Sequence, residues 1–303
     1  MENENLVSIV LPVQGGDAAL DRCVRGVLAQ SETRWTLWLV ATEAHRGWAA
    51  AWAQQDGRIQ VLGVDRPGRA RALRAGLAAC RGTFTVFLDA EHVWRSDFLA
   101  LTTAFLGSNA LEDMVCTEVR AVDGRPVQSA RPELYREKGL LAEVLDHVAA
   151  GWSGTQWRRG EMARHLRWGE YTRLAVTLLR TDYAELLLPA LQHESAALDY
   201  RLQARVAAKC AVNLIVCAGA VHEPAPVTAE QRRQREIDGL AVFDEIHRRQ
   251  WETDRELARL RRERLARIDA RSPWQVLLGW WQAVPRRSGT MATDLGPRTA
   301  DPL

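Results

Sequence analysis

The chain has 303 residues, 47% of them apolar and 26% charged. A chain of that length buries about three quarters of its unfolded surface without metal or disulfide staples, and the composition excludes a disordered chain, a fibre and an integral membrane protein. With 40 basic and 38 acidic residues the net charge is +2, which carries no overall signature of a nucleic-acid partner.

Five cysteines, Cys23, Cys80, Cys116, Cys210 and Cys217, are odd in number and contain no Cys-x-x-Cys. They form neither a disulfide framework nor a zinc site, and they fit a reducing cytosol. The polar, acidic N-terminus lacks the basic start of a secretory signal. The longest uncharged apolar run, 211–221, is too short for a membrane span of about 20 residues. The expectation is a cytoplasmic protein, free to touch the inner membrane face. The 12 tryptophans are read first as core.

Residues 6–13 are β-branched and apolar and run into Gly15-Gly16, which reads as a buried strand leaving its sheet. Leu20, Val24, Val27 and Leu28 follow at helical spacing. Strands are expected at 35–41 and 59–64, with a polar helix between them. A helix at 70–79 precedes a strand at 83–89 that stops at an acidic group. Alternating strands and helices imply right-handed crossovers and a mostly parallel sheet buried on both faces. Ligands of such sheets bind outside the carboxyl ends of the strands. Pro12-Val13-Gln14, Ala41-Thr42-Glu43, Asp65-Arg66 and Asp89-Ala90-Glu91-His92 all fall at those ends.

Further on, helices are expected at 96–105, 182–191 and 196–208, and strands at 114–122, 173–180 and 211–221. Residues 131–170 lack a clear period and read as helices and loops covering one side of the site. Pro224 and Pro226 mark a boundary. The Arg/Glu-rich stretch 228–271 reads as one or two long helices, 274–281 as a short aromatic helix and 286–303 as a disordered tail. This gives three parts: 1–225, a helical extension at 226–285, and the tail.

Several segments together carry a resemblance. They are Val7-Ser8-Ile9-Val10-Leu11-Pro12-Val13, Leu20-x-x-Cys23-x-x-x-Val27-Leu28-x-Gln30, Gly68-x-x-x-Ala72-x-x-x-Gly76-Leu77, the run from Cys80 through Asp89-Ala90-Glu91, and Leu198-Asp199-Tyr200-Arg201-Leu202-x-x-Arg205. In order and spacing they resemble the family-2 glycosyltransferases of GT-A fold, over roughly residues 6–222. The resemblance implies an α/β, Rossmann-like sheet and inverting transfer of a sugar from a nucleotide diphosphate, a UDP-sugar first of all. The acceptor is left open among glycan, lipid-linked sugar, peptide and small molecule.

The resemblance also assigns residues. Asp89 and Glu91, at i and i+2 beyond a strand, share one side and would hold Mn or Mg with His222. Asp89 capping the next segment beside a solvated Glu91 is the competing reading. Asp199 corresponds to the general base, against a surface pairing with Arg201 or Arg205. The donor contacts expected are Pro12, Val13, Glu43, Arg66, Arg71, Arg74, Asp89 and Ala90. Glu43 stands in for the acidic pair that normally ends the second strand. Arg66, Arg69, Arg71 and Arg74 form a basic cluster at the diphosphate position, or only a charged helix face. Trp152, Trp157 and Trp168 are candidate walls of an acceptor site. Trp274, Trp280 and Trp281 with Arg286-Arg287 are a candidate membrane-edge anchor.

Three altered motifs, Glu91 for the usual Asp, Leu198 for the usual Glu and the changed end of the second strand, keep another reading open: a degenerate GT-A domain acting as a binding or scaffold subunit, paired with itself or others through its C-terminal helices. A nucleotidyltransferase is less favoured, because no Gly-rich loop with a phosphate-binding Lys follows the first strand.

Overall fold

The computed structural model describes residues 6–14, 17–122, 154–170 and 173–269. β1 (Val7–Pro12) is buried at every position. Its side chains alternate between two cores. Val10 packs with Val40, Leu73 and Phe87 in one, and Ile9 and Leu11 pack with Leu37, Leu39 and Val86 in the other. A strand covered on both faces reads as a continuous apolar run for this reason. Its one polar side chain, Ser8, is used: its Oγ accepts from the backbone N–H groups of Arg81 (3.1 Å) and Gly82 (2.9 Å).

In chain order follow α1 (Asp17–Leu28), β2 (Trp35–Ala41), α2 (Arg46–Gln55), β3 (Ile59–Gly63), α3 (Arg69–Ala79) and β4 (Phe84–Phe87). The four strands are parallel, in the order β3-β2-β1-β4. α3 lies so close to β1 that a Cβ added at Gly76 would overlap the Val10 side chain. Gln30, beyond α1, ties this half to the next. Its amide donates to the carbonyls of Gly26 (3.0 Å) and Arg95 (2.6 Å) and accepts from Leu99 N (2.9 Å).

The second half contains β5 (His92–Trp94), α4 (Phe98–Ser108), β6 (Met114–Ala121), β7 (Gly154–Trp157), β8 (Thr177–Arg180), α5 (Leu198–Ala207) and β9 (Val212–His222). Here the sheet is mixed. β8 is antiparallel to β4 and β6, β9 is parallel to β6, and β5 and β7 each run antiparallel to β9. Two helices follow, α6 (Ala229–His247) and α7 (Arg255–Asp269).

Two expected elements come out differently. The segment 173–180 is a strand only from Thr177; Leu174–Val176 is a 3-10 turn. The Thr177 hydroxyl donates to the Arg173 carbonyl (2.8 Å), which secures that turn. The helix expected at 182–191 is two 3-10 segments, Thr181–Leu187 and Ala190–Gln192. Pro189 offers no N–H to continue a helix, and Leu187, Ala190 and Leu191 are buried in the core instead. The stretch expected as one or two long helices is two, divided at Arg248 and Arg249, whose φ angles are 40° and 68°. α6 begins in a capping box of Thr228 and Gln231. Residues 123–153 and 270–303, with the expected aromatic helix, membrane-edge anchor and tail, lie outside the described residues.

Asp113 clamps the start of β9 to that of β6. Its buried carboxylate accepts from Ala211 N (2.8 Å) and Arg159 Nη2 (2.6 Å). Asp113→Ala leaves a buried N–H without its acceptor. The expected cost is about 2–3 kcal/mol, read as a lower urea midpoint at unchanged m. A loss below about 0.5 kcal/mol, the range of ordinary surface substitutions, would mean that the clamp carries no stability.

Candidate functional site

Parallel strands bring their carboxyl ends to one rim, and two adjoining hollows lie along it. The smaller, about 440 Å³, opens beyond β1, β2 and β3 and is lined by Val13, Val40, Thr42, His45, Val64 and Gly68. The larger, about 630 Å³, opens beyond β1 and β4. Gln14 lines both. Four carboxylates (Asp89, Glu91, Asp199 and Glu223) and four arginines (Arg22, Arg69, Arg173 and Arg235) line the larger hollow.

Asp89 leaves the end of β4 and turns the chain into β5. Its Oδ1 accepts from Glu91 N (3.0 Å) and lies 2.6 Å from His92 Nδ1. Burial alone would raise its carboxyl, but the charge and hydrogen bond of His92, and then Arg69, outweigh it. Asp89 is held well below the usual carboxylate range. Beside it, Glu91 accepts from Ala225 N (3.2 Å) and pairs with His222 Nε2 (3.3 Å). The contact with His222 lowers its carboxyl. His92 and His222 sit opposite each other in the β5–β9 ladder, with ring centroids 4.7 Å apart.

Asp199 reaches the hollow from the first turn of α5 and is buried. Its Oδ1 lies 2.6 Å from Arg69 Nη1. Arg69 Nη2 is 3.9 Å from Asp89 Oδ2. One guanidinium, at the first position of α3, therefore stands between the carboxylates of two distant chain segments. Asp199 does not pair with Arg201 or Arg205; Arg205 bonds to Glu245 on α6 instead (2.8 Å). Glu170 adds a further acidic group, raised by burial and then by the charge of Asp199.

Of the other expected donor contacts, Pro12 and Ala90 line the larger hollow and Val13 the smaller. Glu43 lines neither. Its side chain is 84% exposed and pairs with Arg46 (3.0 Å), because the chain turns outward in a 3-10 segment directly after β2. Thr42 and His45 take its place, 3.4 Å apart. Arg66 is exposed and bonds to Asp65 (3.3 Å). Arg71 and Arg74 face a separate outer hollow with Glu194. Glu194 itself accepts from Ala70 N (3.0 Å) and Arg71 N (3.1 Å) and so covers the N-terminus of α3. Trp157 is a core residue, 4% exposed, rather than an acceptor wall. Trp152 and the Trp168 side chain lie outside the described residues.

Sequence reasoning missed Gln14, Thr42, His45, Arg22, Arg173, Arg235 and Glu223. For Gln14 and Thr42 a signal existed, since both lie within the strand-end segments already singled out.

The fit of a divalent cation follows from the donor set. Among the described residues no three His, Cys, Asp or Glu side chains converge to hold an ion. Asp89, Glu91 and His222 do come together, but as hydrogen-bond partners within one network. Both Glu91 oxygens are engaged, Asp89 Oδ1 is bonded twice, and Arg69 already faces Oδ2. The three residues expected as ligands do not fit a metal centre in this arrangement.

The model of the family described as glycosyl transferase family 2 matches residues 8–170, over half of the chain. The chain belongs to glycosyl transferase family 2. The matched stretch carries the parallel half of the sheet and Asp89, but not Asp199. Over 155 residues the chain is 34% identical to the O-antigen biosynthesis protein RfbC of Myxococcus xanthus. That match takes in 46% of this chain and only 12% of the relative, so the chain spans a small part of that protein's length. Similar folds include S. aureus TarS 1–349 in complex with UDP-GlcNAc, at 12% identity and a TM-score of 0.53, covering 83% of this chain and 74% of that one. S. aureus TarS is similar at 14% identity and a TM-score of 0.52, covering 83% and 44%. At such identity the likeness is one of fold. Among the described residues no helix of this family member is long and apolar enough to cross a membrane.

Proposed function

We propose that the chain transfers a sugar from a nucleoside-diphosphate donor to an acceptor nucleophile, with inversion at the anomeric carbon. The observation that carries this reading is that Asp89 and Asp199, 110 positions apart in sequence, line one hollow next to an apolar pocket with which it shares Gln14. The nucleoside takes the smaller pocket. The diphosphate and sugar take the larger one.

In the step itself the acceptor oxygen forms a bond to the anomeric carbon. The bond from that carbon to the diphosphate oxygen breaks, and the nucleoside diphosphate leaves with the electron pair. Asp199 takes the acceptor's proton. Its place in the hollow that takes the sugar supports that role. Asp89 and His92 hold the β4–β5 turn, and Arg69 orients both carboxylates. Residues 1–225 carry this machinery in the proposal. The helices beyond complete it, because Asp238 on α6 accepts from Ser195 Oγ (3.1 Å) and Ala196 N (2.6 Å) at the rim of the hollow.

Calorimetry with UDP-, GDP- and dTDP-sugars, with and without Mn²⁺, tests the reading. A UDP-sugar is expected to bind, and its slow hydrolysis to release UDP. No binding of any nucleotide in either condition would refute the transfer. It would favour the second reading, a binding or scaffold subunit, which is supported by the lining of the smaller pocket, without an acidic side chain among the described residues.

A further inference from the structure

The larger hollow contains two arginines that form no close ion pair, although the Glu170 carboxylate feels the charge of both. Arg22 pairs with Glu223 (2.6 Å), and Arg69 serves Asp199 and Asp89. Arg173 and Arg235 line the same hollow, yet neither has a carboxylate within 4.0 Å among the described residues. Arg173 Nε is buried with no hydrogen-bond partner. The contact of Arg235 is a long one, from Nε to the Ala196 carbonyl (3.4 Å). A buried guanidinium nitrogen without an acceptor, as at Arg173 Nε, is costly, and a planar fork of N–H donors matches phosphate oxygens.

Neither residue belongs to the strand-end motifs. Arg173 precedes the turn into β8. Arg235 comes from α6, which is held over the hollow by Asp238 and the 195–196 backbone. Both line the hollow together with Asp199 and Asp89. Meanwhile the expected ligands at Asp89, Glu91 and His222 are bonded to one another, and a guanidinium stands where a cation would bridge Asp89 and Asp199.

We propose that Arg173 and Arg235, with Arg69, form an arginine site that binds the donor's diphosphate and stabilises it as it leaves, in place of a divalent cation. This rests on the transfer proposed above. As the bond to the anomeric carbon breaks, negative charge grows on the departing diphosphate oxygen, and fixed cations there lower the barrier. The part of the electrostatic work given to the arginines then needs no added ion.

The test uses the full chain in excess EDTA. UDP and inorganic pyrophosphate are titrated by calorimetry, with uridine as the phosphate-free control. UDP is expected to bind in EDTA within about threefold of its affinity in Mn²⁺. Arg173→Gln and Arg235→Gln are each expected to weaken UDP and pyrophosphate about tenfold or more, for the loss of a charge-assisted contact, and to leave uridine unchanged. Arg235 is exposed, so its variant keeps the fold even if Arg173→Gln does not; the melting temperature checks both. Binding of UDP only with Mn²⁺, or parent-like UDP affinity in a folded Arg235→Gln, overturns the arginine site while leaving glycosyl transfer standing. Absence of nucleotide binding with and without Mn²⁺ instead overturns the transfer reading itself. Pyrophosphate bound at full strength by the Arg235 variant, with UDP weakened, would place this cation on another part of the donor and reject the diphosphate assignment.

Discussion

Asp199→Asn is expected to reduce sugar transfer by about 10²–10⁴-fold, the range of a lost general base, and to leave donor affinity within about threefold. The substitution keeps the side chain's shape. An amide oxygen can still face Arg69 Nη1, now 2.6 Å from Asp199 Oδ1, so the hollow is not expected to collapse. What is lost is the ability to accept a proton from the attacking oxygen. Single-turnover transfer alongside donor calorimetry separates the two. If transfer and donor binding fall together in a folded variant, Asp199 shapes the hollow rather than accepting the proton. If transfer persists above a tenth of the parent rate, the base is another group. Glu170 is then the next to substitute, since it shares the electrostatic neighbourhood of Asp199.

How far the site was legible depended on the kind of signal each residue left. Asp89 ends an apolar run, so strand periodicity alone puts it at the rim. Asp199 has no such marker, and the pattern around it, rather than its spacing, pointed to the cavity. The four arginines between 66 and 74 looked alike in sequence. Their fates diverge where Gly68, at φ 153°, turns the chain into α3: of the four, only Arg69 at the first helical position lines the larger hollow. Arg69 becomes the bridge, while Arg66, Arg71 and Arg74 look outward. Glu43 seemed a natural replacement for a missing acid, but the outward 3-10 turn after β2 sends it to solvent. The mixed half of the sheet was the least readable part. An apolar run does not state the direction of its partners, and β8 follows a stretch with no regular period. Arg173 and Arg235 are 62 positions apart. They line one hollow because β8 inserts beside β4 and α6 docks on the 195–196 loop, both long-range events that no local pattern announces.

Arg69→Met should be the most damaging change that spares both proposed reacting carboxylates. Among the described residues, Arg69 is the one side chain in contact with Asp199 and Asp89 together, and these contacts raise its own basicity against the opposing effect of burial. Removing it leaves Asp89 and Asp199 facing one hollow, with Glu170 near them and no bridging cation. Like charges at close range in a poorly hydrated site oppose ionisation. kcat/KM is therefore expected to fall about 100-fold or more, the scale of losing a preorganised electrostatic group. The acidic limb of the pH–rate profile should also move to higher pH. The sign follows from the charge: Arg69 helps hold down the Asp89 and Glu170 carboxyls, so without it their protonated forms are favoured, and more alkaline solution is needed to restore the ionised ones. Arg69→Lys should recover part of the rate, because a point charge can serve one of the two carboxylates where the fork reached both. The measurement is kcat/KM across the pH range for the parent and the two variants, with thermal melting as the folding control. A folded Arg69→Met variant whose rate falls while its pH profile stays where it was would mean that Arg69 only shapes the hollow, and that the carboxylates do not depend on it for their charge.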